Sequence, residues 1–91
     1  MSWKKPLAYN LLFDDKVLKD LKKIDAVWQK KILQAIKEKL PSHPYEGKKL
    51  VGNLSAFYRL RVGDYRVIYE IIDEEVTVVV IKIKHRKEVY K

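Results

Sequence analysis

The sequence predicts an α+β fold of two layers, in which an αα-hairpin packs on one face of an antiparallel sheet. Apolar residues recur at helical spacing over residues 15–40, and strand-like runs joined by tight turns follow from residue 54 onward. One further strand-like run precedes the helices, so the predicted order is βααβββ. A chain of 91 residues has room for one small domain, which we place at residues 1–91.

The first half of the chain is expected to supply one strand and both helices. Residues 7–13 predict a strand that turns alternate apolar side chains to one face: Tyr9, Leu11 and Phe13. Asp14 or Asp15 can cap the first helix, whose apolar stripe is Val17, Leu18, Leu21 and Ile24. After a break at Asp25, Pro41 ends a second helix, whose stripe is Trp28, Ile32, Ala35, Ile36 and Leu40.

The second half of the chain predicts three antiparallel strands after a loop over residues 41–53. The strands are residues 56–62, 65–72 and 76–83. Gly63 comes first in the two-residue turn between the first two of them, which is typical of a type II′ hairpin. Residues 73–75, all acidic, are expected to form a three-residue loop before the last strand.

Pairing the strands across Gly63 and Asp64 assigns each side chain to a face, because side chains alternate along a strand. The face that packs on the helices is apolar throughout: Tyr58, Leu60, Val62, Tyr65, Val67, Tyr69 and Ile71. The opposite face, called the outer face below, collects the remaining residues of the same two strands: Phe57, Arg59, Arg61, Arg66, Ile68, Glu70 and Ile72.

The outer face concentrates positive charge where sheet stability least favours it. Arg61 is expected directly opposite Arg66, and like charges so placed destabilise an antiparallel pair by roughly 0.2–1 kcal/mol. A three-residue loop places Lys82 opposite Arg66, with Lys84 further along the same face, whereas a two-residue loop would bury both lysines against the helices. A solvated face usually mixes the two signs. This pattern therefore favours a phosphate-binding face with five cations: Arg59, Arg61, Arg66, Lys82 and Lys84.

The composition limits the possible functions. Lys and Arg number 20 against 12 for Asp and Glu, and a net charge of +8 in so small a domain implies nucleic acid or an acidic protein as partner. There is no cysteine and there are two isolated histidines, so neither a metal nor a cofactor is expected. No apolar run approaches the roughly 18 residues of a membrane span. Residues 1–6 are too charged for a signal peptide, which predicts a cytoplasmic protein.

The closing residues carry candidate chemistry beside the expected cationic face. His85 has an imidazole, a side chain able to act as acid or base near neutral pH. A lone histidine is more often structural than catalytic, so its role depends on whether it lies next to the cations. Tyr90 is expected either to stack on a base, as aromatic residues do in RNA recognition, or to pin the tail against the sheet.

Taken together, these segments resemble the RelE/ParE toxin superfamily. The core of the resemblance is residues 54–72, centred on Tyr58 to Tyr69, and the closing residues 85–90 match as well. Shorter pieces match the same pattern in order: Phe13-Asp14, Leu18, Leu21, Lys22-Lys23, Lys49-Leu50 and Gly52-Asn53-Leu54. The resemblance spans nearly the whole chain and implies a βααβββ fold with a concave basic sheet.

The resemblance also implies a function. Members of the RelE branch are toxins of type II toxin–antitoxin systems that cleave mRNA in the ribosomal A site and are held inactive by an acidic or amphipathic antitoxin, here a RelB-like protein. The residues that occupy the places of the RelE pattern, together with His85, form the expected catalytic set: Arg59, Arg61, Arg66, His85, Arg86 and Tyr90. Neighbouring side chains are assigned to RNA binding: Lys48, Lys49, Phe57, Lys82, Lys84 and Lys87.

The expected chemistry is metal-independent attack by the 2′-OH of the RNA, which leaves a 2′,3′-cyclic phosphate. Arg61 and Arg66 are expected to clamp the phosphate and Arg59 to neutralise developing charge. Arg86, or His85 as imidazolium, would serve the leaving group, and Tyr90 would orient a base. Neutral His85 is the one ordinary candidate for general base, but it cannot also be the acid in the same turnover.

Two departures from the RelE pattern keep other functions open. The pattern often has lysines at the places of Arg59 and Arg61, and Arg61 is a poor base because a guanidinium stays protonated. The C-terminal helix of some members is also absent from the predicted elements. The alternatives are a ParE-like toxin, which binds DNA gyrase and lacks the nuclease residues, and a non-catalytic RNA-binding module.

Overall fold

A computed structural model describes residues 8–50 and 57–89 and places them in a five-stranded sheet with two helices on one face. The strands are β1 (Asn10–Phe13), β2 (Lys48–Lys49), β3 (Phe57–Val62), β4 (Tyr65–Ile72) and β5 (Thr77–His85). The helices are α1 (Asp15–Lys22), α2 (Ala26–Lys39) and the single turn α3 (Arg86–Val89), which the sequence analysis did not predict. The two-layer α+β fold with its αα-hairpin is confirmed.

The sheet is mixed and not antiparallel throughout. Its strand order is β1-β5-β4-β3-β2, and β1 pairs with β5 in parallel while the other neighbours are antiparallel. The alternation of apolar residues in β1 predicted which of its side chains face the core. The same alternation does not indicate which strand β1 pairs with. β2 lies where the sequence predicted a loop, and it pairs Lys48 with Arg59 and Lys49 with Tyr58.

The core joins the buried stripes of α1 and α2 to the helix-facing side of the sheet. The Asp14 carboxylate accepts a hydrogen bond from the Lys16 N–H (2.9 Å), which confirms the predicted cap of α1. Leu18 is 55% exposed, so its predicted place in the apolar stripe was wrong. It lies about 100° around the helix from buried Val17 and therefore points away from the sheet. The buried apolar residues come from both layers: Val17, Leu21, Ile32, Ile36, Leu40, Val67, Tyr69, Val78, Val80 and Ile83.

Two polar side chains hold α1 in place, one by joining α2 to its end and the other by joining α1 to the sheet. The Gln29 side-chain amide donates to the carbonyls of Leu21 (2.6 Å) and Ile24 (2.8 Å), which satisfies backbone groups at the end of α1. The Asp20 carboxylate accepts from the Ile83 N–H (3.1 Å), a backbone donor of β5 beyond the last residue of β1. The bond from Ile83 to Asp20 holds α1 over the half of β5 that carries the basic residues.

The β3–β4 hairpin has the predicted register, including Arg61 opposite Arg66 and Tyr58 opposite Tyr69. Gly63 adopts a φ of 58°, and the φ of Asp64 is not positive. A type II′ turn requires this combination, because only its first central residue has a positive φ. A Cβ atom at Gly63 would lie 2.4 Å from the Trp28 ring. Glycine is therefore required at this turn both for its backbone conformation and for the close approach of α2.

The β4–β5 pairing differs from the prediction in two places. Ile72 pairs with Thr77, so the loop has four residues and not three, and it ends at Val76 with a φ of 50°. A bulge then leaves Ile81 without a partner, because Tyr69 pairs with Val80 and Ile68 with Lys82. The predicted pairing of Lys82 with Arg66 was therefore wrong: Arg66 faces Lys84. Since each irregularity reverses the alternation, the two together return both lysines to the outer face.

The carboxylate of Asp73 ties β1 and the segment before β2 to the β4–β5 loop. The hydroxyl of Tyr9 donates to one carboxylate oxygen (2.8 Å) and the hydroxyl of Tyr45 donates to the other. The bond from Tyr45, followed by that from Tyr9, lowers the pKa of Asp73, and the same bond raises the pKa of Tyr45 to about 12. The two tyrosines thus favour the ionised carboxylate of the folded protein.

Asp73→Asn should reduce the stability of the domain at neutral pH and weaken its dependence on acid. Because the folded pKa of Asp73 lies below its usual value of 3.8, the stabilisation is present above that value and is lost as the pH falls through the folded pKa. The urea midpoint should therefore fall less steeply in the variant than in the wild type between about pH 5 and pH 2. Glu74→Gln removes the same charge next to it and is the control. Equal acid dependence in wild type and Asp73→Asn would contradict the assignment.

Candidate nucleic-acid interface

Six cations form two rows across the outer face. The first row runs from Arg61 on β3 through Arg66 on β4 to Lys84 on β5. The second row runs across four strands: Lys48, Arg59, Ile68 and Lys82. Successive rows on one face lie two residues apart along a strand, or about 7 Å. The spacing suits an extended polyanion that crosses the strands.

Within residues 8–50 and 57–87, no acidic side chain forms an ion pair with the cations of these rows. Glu70 shares the outer face, but it lies in the next row, opposite Phe57 and Val79. Among the described residues, the one ion pair within 4.0 Å joins Arg86 to Asp64, at 3.6 Å. Guanidinium groups that form no ion pair with a described acidic side chain present N–H donors suited to the oxygens of a phosphate.

Arg86 lies two residues beyond Lys84, beside the β3–β4 turn. Its backbone N–H donates to the carbonyl of Asp64 (2.7 Å), and its guanidinium approaches the carboxylate of the same residue. Both side chains are 57% exposed, and exposed ion pairs contribute little free energy. Arg86 is therefore positioned by its backbone while its side chain remains free to contact a ligand.

His85 is not brought together with the cations. It pairs with Tyr65 and so lies on the helix-facing side, because Lys84 occupies the outer face directly before it. Its ring packs edge-on against that of Tyr65, with centroids 5.0 Å apart, and lines a cavity with Asp20 and Lys23. The geometry does not support the predicted catalytic role of His85. Tyr90 lies outside the described residues.

The remaining sequence-assigned residues divide between the two faces. Lys48 joins the outer face through its pairing with Arg59, whereas Lys49 pairs with Tyr58 and points to the other face. Phe57 is half-buried on the outer face, and Lys87 is exposed after β5. Leu50 and Ile81 also line the outer face and were not predicted from the sequence. The bulge that reorients Ile81 leaves no signal in the alternation of apolar residues.

The outer face of the described residues offers a binding surface for anions. Across residues 8–50 and 57–89, no three His, Asp or Glu side chains are grouped so that they could hold a metal ion. No helix in the same residues is long and apolar enough to cross a membrane. Cations from three strands can bind a phosphate from several sides, and Lys84 is the one member of the first row whose side chain is not a guanidinium.

Comparison with known proteins identifies relatives over most of the chain. A family model described as ParE toxin of type II toxin–antitoxin system, parDE, matches residues 11–90. The mRNA interferase toxin RelE of Escherichia coli strain K12 is 36% identical over 87 residues, which cover 92% of this chain and 92% of the relative. Toxin RelG of Mycobacterium tuberculosis is 32% identical over 90 residues, covering 93% of this chain and 99% of the relative.

Solved structures show the same fold. The RelBE2 toxin–antitoxin complex of Mycobacterium tuberculosis contains a chain that superposes with a TM-score of 0.84 at 30% identity, covering 90% of this chain and 95% of that one. The isolated RelE toxin of Escherichia coli superposes with a TM-score of 0.73 at 34% identity, covering 91% and 92% of the two chains. The order of helices and strands described above is therefore shared with toxins of known structure.

Proposed function

Because the chain belongs to the ParE toxin family of type II toxin–antitoxin systems, we propose that it is a cytoplasmic toxin that cleaves mRNA on the ribosome. Within that family, the relatives of more than 30% identity include proteins named mRNA interferase. The observation that carries the proposal is the row of Arg61, Arg66 and Lys84, which offers three unpaired cations to one phosphate. The whole chain acts as one catalytic domain and needs no metal.

The proposed reaction is transfer of the phosphoryl group within the RNA. The 2′-oxygen attacks the adjacent phosphorus, its proton passes to a base, and the bond to the 5′-oxygen of the next nucleotide breaks. Arg61 and Arg66 hold the non-bridging oxygens, and Arg59 in the neighbouring row neutralises charge that develops there. Arg86, two residues beyond Lys84, stabilises the departing 5′-oxygen, which takes its proton from water. The products are a 2′,3′-cyclic phosphate and a 5′-hydroxyl.

We assign the general base to Lys84. His85 faces the helices, and the guanidinium groups of the first row cannot give up a proton. Lys84 is half-buried in that row, directly opposite Arg66. Lys84 is a cation in the resting row, but its ammonium, unlike a guanidinium, can release a proton, and the resulting amine then accepts the proton of the 2′-OH.

The proposed partner that restrains the toxin is a RelB-like antitoxin. Solved structures of relatives are titled as RelB–RelE and RelBE antitoxin–toxin complexes from bacteria and archaea. An acidic segment of such a partner would neutralise the two rows of cations and block access to the phosphate site. Toxin and antitoxin would form a hetero-oligomer that is inactive as a nuclease.

A second candidate function is ParE-like binding of DNA gyrase, since the matching family model carries the ParE description. That activity requires protein recognition and no general base. A toxin of this kind would leave mRNA intact while DNA damage accumulates. Of the two functions, the first row of three cations favours the nuclease, because a gyrase-binding protein gains no advantage from like charges placed opposite one another in a sheet.

Analysis of RNA ends in a translating extract tests the proposal. Purified toxin should produce codon-spaced cuts in mRNA by primer extension, and mass spectrometry of the upstream fragments should find 2′,3′-cyclic phosphate ends. Lys84→Arg keeps the charge of the row but removes the base, so it should bind RNA and fail to cut it. Fragments with a plain 3′-hydroxyl would refute the 2′-OH mechanism. Intact mRNA together with DNA damage would establish the gyrase alternative.

A further inference from the structure

An apolar cavity lies beside the cation rows on the outer face. It encloses about 210 Å³ and is lined by Leu50, Phe57, Ile68, Ile81, Lys82 and Lys84. Leu50 reaches it because its N–H donates to the Phe57 carbonyl (2.9 Å), which extends the pairing of β2 with β3 by one residue. The four apolar side chains are half-buried and form its floor and walls, while Lys82 and Lys84 form a charged rim.

The bulge in β5 brings these side chains together. Ile81 has no partner on β4, so Ile81 and Lys82, although consecutive, both line the cavity. In a regular strand one of the two would face the helices. Bulges occur preferentially where a strand must redirect a side chain toward a site. An isoleucine and a lysine directed to one surface combine apolar contact with a positive charge.

The position of the cavity relates it to the phosphate site. Ile68 and Lys82 belong to the second row of cations, and Lys84 belongs to the first, where Arg66 lies opposite it. The cavity is therefore about one row, or 7 Å, from the proposed scissile phosphate. This separation is comparable to the size of one nucleotide. The volume is below the roughly 300–1,000 Å³ of pockets that take drug-sized ligands, so it suits one planar ring system and not a helix of a partner protein.

We infer that the cavity is a subsite for one unpaired nucleobase of the RNA, next to the scissile phosphate. The inference rests on the proposed function, which supplies the RNA, and adds how the enzyme would hold it. The base is expected to contact the apolar surface of Phe57, Ile68 and Ile81, while Lys82 binds a flanking phosphate. Such contact with apolar and aromatic surface tolerates all four bases, so the subsite positions the strand without selecting a sequence.

Removal of a base from the RNA tests the subsite. The probe is a short single-stranded RNA with 2′-O-methyl riboses, which cannot cleave itself, and a set of versions that each lack one base. Binding is measured by fluorescence anisotropy at several salt concentrations. Loss of the base at one position should weaken binding to the wild type by roughly 5- to 150-fold, the range for stacking of one base. Phe57→Ala should bind the intact and abasic RNAs equally.

Two further variants complete the design. Ile81→Ala shortens a different wall of the cavity and should reduce the same base dependence. This variant tests the subsite independently, even if Phe57→Ala does not fold. Leu12→Ala removes an apolar side chain that is 55% exposed on β1, outside the cavity, and should keep the full base dependence. All three variants should retain the salt dependence of the wild type, because the phosphate contacts are unchanged.

The outcomes separate the subsite from the function on which it rests. Binding that depends on salt but is equal for intact and abasic RNAs would overturn the subsite and leave the phosphate site standing; a cavity that serves a protein partner would give this result. Absence of salt-dependent RNA binding would overturn both proposals. Base dependence that survives in Phe57→Ala and Ile81→Ala would locate the base elsewhere and overturn the subsite.

Discussion

Arg66→Ala is expected to abolish RNA cleavage while the domain remains folded. Arg66 lies in the middle of the first row, with Arg61 opposite it on one side and Lys84 on the other. Removal of one group that stabilises charge in a transition state lowers kcat by roughly 10²–10³-fold. The same substitution relieves like-charge repulsion of roughly 0.2–1 kcal/mol for each of the two pairs, so the free energy of unfolding should rise by no more than about 2 kcal/mol.

The measurements are cleavage rates in a translating extract and urea unfolding at neutral pH. Lys30→Ala is the matched control, because it removes one positive charge from an exposed position on α2. It should cleave at close to the wild-type rate. If Arg66→Ala unfolds, the arginine is structural and the phosphate site is wrongly placed. If it folds and cleaves normally, the first row does not hold the scissile phosphate.

The register of the β3–β4 hairpin could be predicted because one turn determines it. With Gly63 and Asp64 as a two-residue loop, every cross-strand pair follows from counting, and the predicted pairs are those observed. The apolar alternation gave an independent check, since a shift by one residue would have buried Arg61 and Arg66. Local turn chemistry and burial agreed, and the outer face was correctly assigned.

The β4–β5 register could not be predicted by the same means. The loop length after Ile72 depends on the left-handed conformation of Val76, which is uncommon for a β-branched residue. The bulge at Ile81 then reverses the alternation once more. Burial of the lysines was a sound criterion for their face, and it gave the correct face. It could not distinguish a three-residue loop without a bulge from a four-residue loop followed by a bulge, because both place the lysines on the outer face, so the predicted partner of Arg66 was wrong.

His85 lies next to the cations in sequence but not in the structure. It follows Lys84 directly, and the two side chains therefore lie on opposite faces while β5 continues through residue 85. The sequence suggested that the strand ended earlier, at residue 83, which left the orientation of the tail undetermined. Because β5 continues through Lys84 and His85, Lys84 lies in the first row and the imidazole of His85 lies on the opposite face.

Tyr69→Ala is expected to produce the largest loss of stability of any substitution considered. Tyr69 is fully buried and stacks on Tyr58, with ring centroids 5.8 Å apart. Truncation of a buried aromatic side chain to alanine costs roughly 3–5 kcal/mol. At about 0.05–0.15 kcal/mol per residue, a chain of 91 residues has a total stability of about 5–14 kcal/mol. The variant should therefore unfold at much lower urea concentration, or fail to fold.

Tyr69→Phe isolates the contribution of the hydroxyl, which donates to the carbonyl of buried Pro44 (2.7 Å). This bond holds the segment that leads into β2, and so the position of Lys48 opposite Arg59. Without its donor, the Pro44 carbonyl is left unsatisfied at a cost of about 1–3 kcal/mol. Urea unfolding should rank wild type above Tyr69→Phe and Tyr69→Phe above Tyr69→Ala. Equal stability of Tyr69→Phe and wild type would show that the hydrogen bond does not anchor this segment.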